Sequence, residues 1–221
     1  MLEGKSVVIT GAGGALGRAA VKAVEANGGW PFLVDRTLTE LSDRERMAEL
    51  DVTDDAAVAA LAARVETVDA VFAIAGGFDM GERLSDPASD RWDAMMRANV
   101  DTCRVVMRHF LPRLRERGGA FVTVGAYAAL SGQAEMGAYI AAKSVVMRMT
   151  ETAAAEERLH GVNVNAVLPT IIDTPGNRAA MPDADWGKWV SPDRLARTMC
   201  FLASEAAADI HGALLPVRAL S

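Results

Sequence analysis

Tyr139 and Lys143 are four residues apart, a spacing that sets both on one face of a helix. A phenol with an ordinary pKa of about 10 is a poor acid at neutral pH. An ammonium beside it favours the phenolate and lowers that pKa, which would make the pair a proton donor and acceptor. A second feature lies near the start of the chain, Thr10-Gly11-Ala12-Gly13-Gly14-Ala15-Leu16-Gly17. It follows a β-branched run and opens a helical pattern. Small side chains let the backbone approach a pyrophosphate, and a helix N-terminus offers unpaired N–H groups and a positive dipole end. The same glycines would also suit a plain tight turn. Asp35, 18 residues past Gly17, ends the next apolar run. A carboxylate there accepts both hydroxyls of an adenosine ribose and repels a 2′-phosphate, which favours NAD over NADP. Arg36 beside it could pair with that phosphate and keeps NADP as the alternative. Asp51 and Val52 fit the edge of an adenine site, and Asp51 or Thr53 fits equally well as the N-cap of a following helix.

These groups need a frame that brings distant residues together. Short β-branched runs at Ser6–Thr10, Pro31–Val34, Met47–Leu50, Asp69–Ile74, Ala120–Val124, Val162–Val167 and Ala213–Val217 read as strands. Helical patterns lie between them, at Ala15–Ala26, Asp54–Val65, Arg91–Arg117, Ala138–Leu159 and Pro192–Ser204. Such alternation predicts crossover units, hence an α/β, doubly wound, mostly parallel sheet with helices on both faces. The all-apolar stretches Val7-Val8-Ile9 and Ala70-Val71-Phe72-Ala73-Ile74 suit its central strands. No linker or repeat interrupts the pattern, so residues 1–221 read as a single domain. In the helix from Arg91, apolar residues from Trp92 to Leu111 recur at helical spacing, and Asn99 falls on that stripe. Pro112 lies inside the pattern and should kink or end the helix. The connection from Arg36 to Arg46 leaves room for a short helix or none.

Composition limits the function classes. With 221 residues, 51% of them hydrophobic and 24% charged, the chain is an ordinary globular one. A net charge of −6 argues against nucleic acid and against an anionic membrane surface as the main partner. Cys103 and Cys200 have no metal-ligand spacing and suggest structural thiols in a reducing compartment. The apolar run at Val7–Ile9 is shorter than a signal core, and the uncharged stretch Gly118–Ala134 holds Gly, Ser, Thr and Gln rather than a membrane span. The expectation is a cytoplasmic, soluble protein. His109, His160 and His211 lie far apart with no carboxylate at ligand spacing, so no metal is expected.

With these motifs in this order, the chain resembles the short-chain dehydrogenase/reductase family along essentially its whole length. The resemblance implies a Rossmann sheet of about seven strands, with a nicotinamide cofactor across its C-terminal edge. Tyr139 would be the catalytic acid/base, and Lys143 would lower its pKa and bind the nicotinamide ribose. Asn99 would match the active-site Asn that holds a water of the proton relay, although a satisfied core amide fits it too. The cofactor would lie on Gly11, Gly13, Gly14, Ala15, Leu16 and Gly17, with Asp35, Arg36, Asp51 and Val52 at the adenosine. Ala75-Gly76, followed by Gly77, ends the fourth strand as the family's Asn-Asn-Ala-Gly does. Asn165, Pro169, Ile172 and Thr174 match its Asn-x-x-x-Pro-Gly-x-Ile-x-Thr, where Ile172 and Thr174 would hold the carboxamide.

Three departures stand out. Ala73 and Ile74 replace the two asparagines, which weakens the usual sheet-stabilising network. Thr170 replaces the Gly after Pro169. Ala126 occupies the position of the catalytic Ser, thirteen residues before Tyr139, with Ser131 as the nearest hydroxyl substitute. Dihydropteridine reductases also carry Ala there, and other stretches resemble that branch: Val68-Asp69-Ala70, Ala75-Gly76-Gly77, Ala128-Ala129-Leu130, and Leu168-Pro169 through Asp173-Thr174-Pro175 to Trp189. A quinonoid dihydropterin is already electron-poor, so its reduction needs little carbonyl polarisation. For a simple ketone, a lost donor of this type costs about 2.7–4 kcal/mol.

Residues 173–190 read as a substrate loop over the cofactor, in which Met181, Trp186 and Trp189 would suit a flat heterocycle or would simply pack the loop. Together with Ala126 they form the expected substrate wall. The expected function is hydride transfer between NAD (NADP less favoured) and a small, flat conjugated acceptor. The alternatives are a carbonyl reductase or alcohol dehydrogenase with a substitute for the Ser, and a non-catalytic dinucleotide sensor. The family pairs the helices equivalent to those at Arg91 and Ala138, so a homodimer or homotetramer is expected.

Overall fold

The computed structural model describes residues 1–38, 46–87 and 89–221. Seven strands are β1 (Ser6–Thr10), β2 (Trp30–Asp35), β3 (Met47–Glu49), β4 (Ala70–Ala73), β5 (Gly119–Val124), β6 (Val162–Pro169) and β7 (Leu214–Val217). They form one parallel sheet in the order β3-β2-β1-β4-β5-β6-β7. The helices are α1 (Ala15–Ala26), α2 (Asp55–Arg64), α3 (Arg91–Met95), α4 (Thr102–Arg115), α5 (Gly137–Glu157), α6 (Pro175–Ala180) and α7 (Pro192–Leu202). The connection between β2 and β3 lies mostly outside the described residues, and with it the question of a short helix there.

The pleat explains why the central strands are apolar throughout. Val7, Ile9, Phe72 and Val122 point to one face and pack with Leu16, Ala20 and Val24 of α1 and Leu195 and Met199 of α7. Their neighbours Val8, Val71 and Phe121 point to the other face, against Val58 and Leu61 of α2, Phe110 and Leu114 of α4 and Val146 of α5. Both faces are covered, so the middle of β1 and all of β4 are apolar on both sides of the pleat. Pro31 is tolerated inside β2 because β3 pairs only with Leu33–Asp35, beyond the missing N–H.

Of the two outcomes expected at Pro112 the structure excludes one, and the expected cap of α2 needs correction. Pro112 does not end its helix: α4 runs to Arg115. Phe110, Leu111 and Leu114 are buried around it, and the Arg113 guanidinium donates to the carbonyls of Ala62, Val65 and Glu66. That burial outweighs the one helical hydrogen bond proline cannot make. The irregularity falls earlier, in a π-helical stretch at Met96–Asp101 between α3 and α4 that contains Asn99. Extra residues in a helix turn of this kind commonly mark functional positions. The N-cap of α2 is Asp54, whose side chain accepts from the Ala57 amide at 3.0 Å, and neither Asp51 nor Thr53.

After β1 the chain winds to β2 and β3 on one side, and from β4 onward it builds the other. The reversal leaves a crevice at the C-terminal ends of β1 and β4, where open α/β sheets bind ligands.

Candidate active site

At that crevice Gly11 has φ +70°, and a Cβ on it would lie 2.9 Å from the Ala75 amide nitrogen. A Cβ on Gly17 would lie 2.0 Å from the Gly11 carbonyl oxygen. These two positions admit only glycine, because β1, β4 and the first turn of α1 converge there. α1 opens at Gly14 with no side-chain cap and no acidic residue in its first turn. Its first amides and positive dipole end are therefore available to an anion, which fits a pyrophosphate.

The Asp35 carboxylate accepts from the amides of Gly13 at 2.9 Å and Arg36 at 2.7 Å, which fixes it at the edge of the cradle. Asp51 accepts from both the amide and the hydroxyl of Thr53, at 2.9 and 2.8 Å. Those bonds, with Arg97 at 3.7 Å, hold its carboxyl below the usual range. Arg97 also donates to the Thr53 hydroxyl at 2.8 Å, a clamp that the sequence reading missed. The Thr10 hydroxyl accepts from the Ala75 amide at 3.2 Å and ties the end of β1 to the segment after β4.

The cradle opens into a cleft of about 1740 Å³. Gly11, Gly13, Gly14, Ala15, Leu16, Gly17, Asp35, Arg36, Asp51 and Val52 line one end. Ala75, Gly76 and Gly77 line it as well, as do Pro169, Thr170, Ile172 and Thr174. Tyr139, Lys143, Ala126 and Met181 line the other end. Cofactor-sized sites in proteins commonly occupy 300–1,000 Å³, so this volume has room for a dinucleotide and a small second molecule.

Asn99, Trp186 and Trp189 are not part of the lining. Asn99 is 2% exposed, and its amide donates to the Gly77 and Met95 carbonyls at 3.1 Å each while accepting from the Gly77 amide at 3.2 Å. It ties the segment after β4 to the π-helical stretch, so its side chain is a satisfied buried amide. The Trp186 indole donates to the Met181 carbonyl at 3.0 Å and lies under the Arg178 guanidinium at 4.7 Å, while Trp189 is 7% exposed. Trp189 is buried, whereas these contacts of the half-buried Trp186 lie within its own loop, so neither ring faces the cleft. Ser131 is exposed and outside the cleft as well.

The reacting end also departs from expectation. The Lys143 ammonium donates to the Val124 carbonyl at 2.8 Å, and burial pushes its pKa down to about 8. Burial pushes the Tyr139 phenol up to about 12, with no lowering by the lysine. Part of that burial comes from Phe78, whose ring meets the Tyr139 ring edge-on at 4.8 Å. Phe78 also lines the cleft and is 55% exposed. Nothing in its spacing identified it, although an apolar ring two residues past Gly76 had to lie near the strand's open end. Asn165, by contrast, serves the sheet: its amide bridges the Ile210 carbonyl at 2.7 Å and the Ala213 amide at 2.8 Å.

The loop is organised by Thr174, which caps α6 by accepting from the Asn177 amide at 3.1 Å. Arg178 and Asp173 form a two-pronged ion pair at 2.5 and 2.7 Å. Among the described residues no group of His, Cys, Asp and Glu could hold a metal ion, and no helix is long and apolar enough to cross a membrane.

Comparison with known proteins agrees with this geometry. The family model described as short chain dehydrogenase matches residues 5–185. A cis-4-hydroxycyclohexanecarboxylate dehydrogenase from Sinomonas cyclohexanicum is 30% identical, over 95% of this chain and 93% of that protein. Among solved structures, a protein assigned as an NAD(P)-dependent gluconate 5-dehydrogenase from Beutenbergia cavernae, with NADP bound at low occupancy, superimposes with a TM-score of 0.88 at 27% identity, covering 99% and 96% of the two chains. A 3-ketoacyl-(acyl-carrier-protein) reductase from Brucella melitensis, complexed with NADH, gives 0.85 at 25% identity and 98% coverage of each. The chain belongs to the short-chain dehydrogenase/reductase family and is an NAD(P)-dependent oxidoreductase.

Proposed function

We propose that this enzyme uses NADH to reduce a small, flat, conjugated acceptor of the quinonoid dihydropterin kind, within one domain that holds both molecules. The observation that carries this reading is the reacting end itself. The Tyr139 phenol is held protonated by burial and stands beside Ala126, a methyl group where a carbonyl-polarising hydroxyl would sit. Buried as it is, the phenol stays protonated and can pass its proton to the basic atom that hydride addition leaves on the acceptor. An electron-poor acceptor needs that proton and little polarisation. The Phe78 ring and the Met181 side chain offer apolar walls to a flat molecule.

The bound dinucleotide supplies the hydride. The chain's part is to hold it: Gly13 to Gly17 and the α1 dipole at the pyrophosphate, and Asp35 at the adenosine ribose. Asp51, Val52 and Arg97 would edge the adenine, with Lys143 at the second ribose and Thr174 and the Ile172 backbone at the carboxamide. Asp35 supports NAD over NADP, since a fixed carboxylate repels a 2′-phosphate. Asn99 would act by positioning the Gly77 segment. Two free buried cysteines fit a cytoplasmic setting. Trp92 and Val145, partly exposed on α3 and α5, support a homodimer or homotetramer formed through these helices.

One relative's activity on a hydroxylated ring favours a second reading, reversible oxidation of a cyclic alcohol. One assay plate separates the two: purified protein with NADH or NADPH, offered quinonoid dihydropterin, quinones, simple ketones and cyclic alcohols with NAD. NADH oxidation with the conjugated acceptors, abolished by Tyr139→Phe with NADH affinity kept, is the expected result. Turnover with ketones and alcohols alone would reject the pterin-like acceptor.

A further inference from the structure

We propose that Tyr127 replaces the missing Ser: its phenolic hydroxyl donates a hydrogen bond to an acceptor heteroatom close to the atom that receives hydride. The proposal rests on the reductase reading above. Tyr127 directly follows Ala126 and opens a short 3-10 turn, Tyr127–Leu130, after β5. It lines the same end of the cleft as Ala126 and Tyr139. It is half-buried, and among the described residues its hydroxyl has no hydrogen-bond partner.

The other nearby hydroxyls are committed. Thr170 and Ser221 bond each other at 2.7 Å, and Ser144 bonds the Ala129 carbonyl at 3.3 Å. Gln133 also lines the cleft, but it is exposed and its long side chain would lose much rotamer freedom on binding. The Tyr127 ring is already restrained, with the Arg218 guanidinium 4.5 Å above it. A preorganised donor is the kind that stabilises developing charge.

The chemistry balances without proton transfer from Tyr127. The acceptor gains a hydride from the dihydronicotinamide, which is oxidised by two electrons, and a proton from Tyr139. Tyr127 keeps its own proton throughout.

The test uses the best acceptor from the assay plate. Tyr127→Phe should lower kcat/KM by about tenfold, less than the ~100-fold of one donor lost from an oxyanion site, because an electron-poor acceptor needs less polarisation. NADH affinity, read by fluorescence titration, should stay unchanged, which also shows that the variant folds. Adding Ala126→Ser to Tyr127→Phe should restore most of the activity, because it puts a hydroxyl back at the neighbouring position. Gln133→Leu should stay within threefold of the parent. A Tyr127→Phe enzyme within threefold of the parent, a loss that Ala126→Ser does not rescue, or a large loss in Gln133→Leu instead would each overturn the assignment. No NADH oxidation by the parent with any acceptor would overturn the reductase reading, and this proposal with it.

Discussion

Replacing Lys143 by Met removes an ammonium that the fold holds at a cost. Burial pushes its pKa from the ordinary 10.5 down to about 8, although the Val124 carbonyl accepts from it at 2.8 Å. The native state therefore releases this proton at lower pH than the unfolded chain does. Between pH 8 and pH 10.5 the unfolded state binds more protons, so this lysine makes the native state more stable as pH rises through that window. At about 1.4 kcal/mol per pKa unit, the charged form costs ~3 kcal/mol at neutral pH, of which ~2–3 kcal/mol should be recovered by pH 10. The neighbouring Cys103 thiol, pushed up to about 12 by burial, stays neutral in the native state, and its ionisation in the unfolded chain is common to both proteins. Urea unfolding of the parent and Lys143→Met at pH 7, 8, 9 and 10 reads this directly, since titrations common to both cancel in the difference. The parent should gain on the variant by ~2–3 kcal/mol between pH 7 and pH 10. A difference that stays flat with pH would refute the buried, destabilised ammonium. Turnover should be lost in the variant at every pH.

Two other changes test the cofactor cradle. Asp35→Ser should raise the use of NADPH relative to NADH by tenfold or more, measured as the ratio of kcat/KM values; an unchanged ratio would remove Asp35 from the ribose. Gly17→Ala should abolish NADH binding in a fluorescence titration and lower the urea midpoint, because its Cβ would meet the Gly11 carbonyl oxygen at 2.0 Å, where only backbone can yield. Unaltered NADH affinity in that variant would mean that the turn is not the pyrophosphate site.

Much of the fold was legible because its signals are local. The apolar runs at Val7–Ile9 and Ala70–Ala73 are strands buried on both faces, and all seven expected strands are present, with ends shifted by no more than two residues. The glycine turn was legible because steric exclusion at Gly11 and Gly17 leaves its mark in residue type. What the sequence concealed depends on the third dimension. A buried amide at position 99 looks the same in a sequence whether it faces a ligand or two carbonyls. The i, i+4 spacing of Tyr139 and Lys143 gives a shared face, yet the ammonium turned to the Val124 carbonyl and burial raised the phenol's pKa instead of lowering it. Trp186 and Trp189 carry no local sign of which side of their loop they cover. Phe78, Arg97 and Tyr127 enter the cleft from three separate segments, so no spacing could have grouped them.

The most direct test is a crystal structure of the enzyme soaked with NADH. The pyrophosphate should lie across the Gly13–Gly17 amides, the adenosine ribose against Asp35, and the nicotinamide ring beside the Tyr139 hydroxyl. Density for the dinucleotide anywhere else, or a Tyr139 hydroxyl facing away from the nicotinamide, would contradict the account.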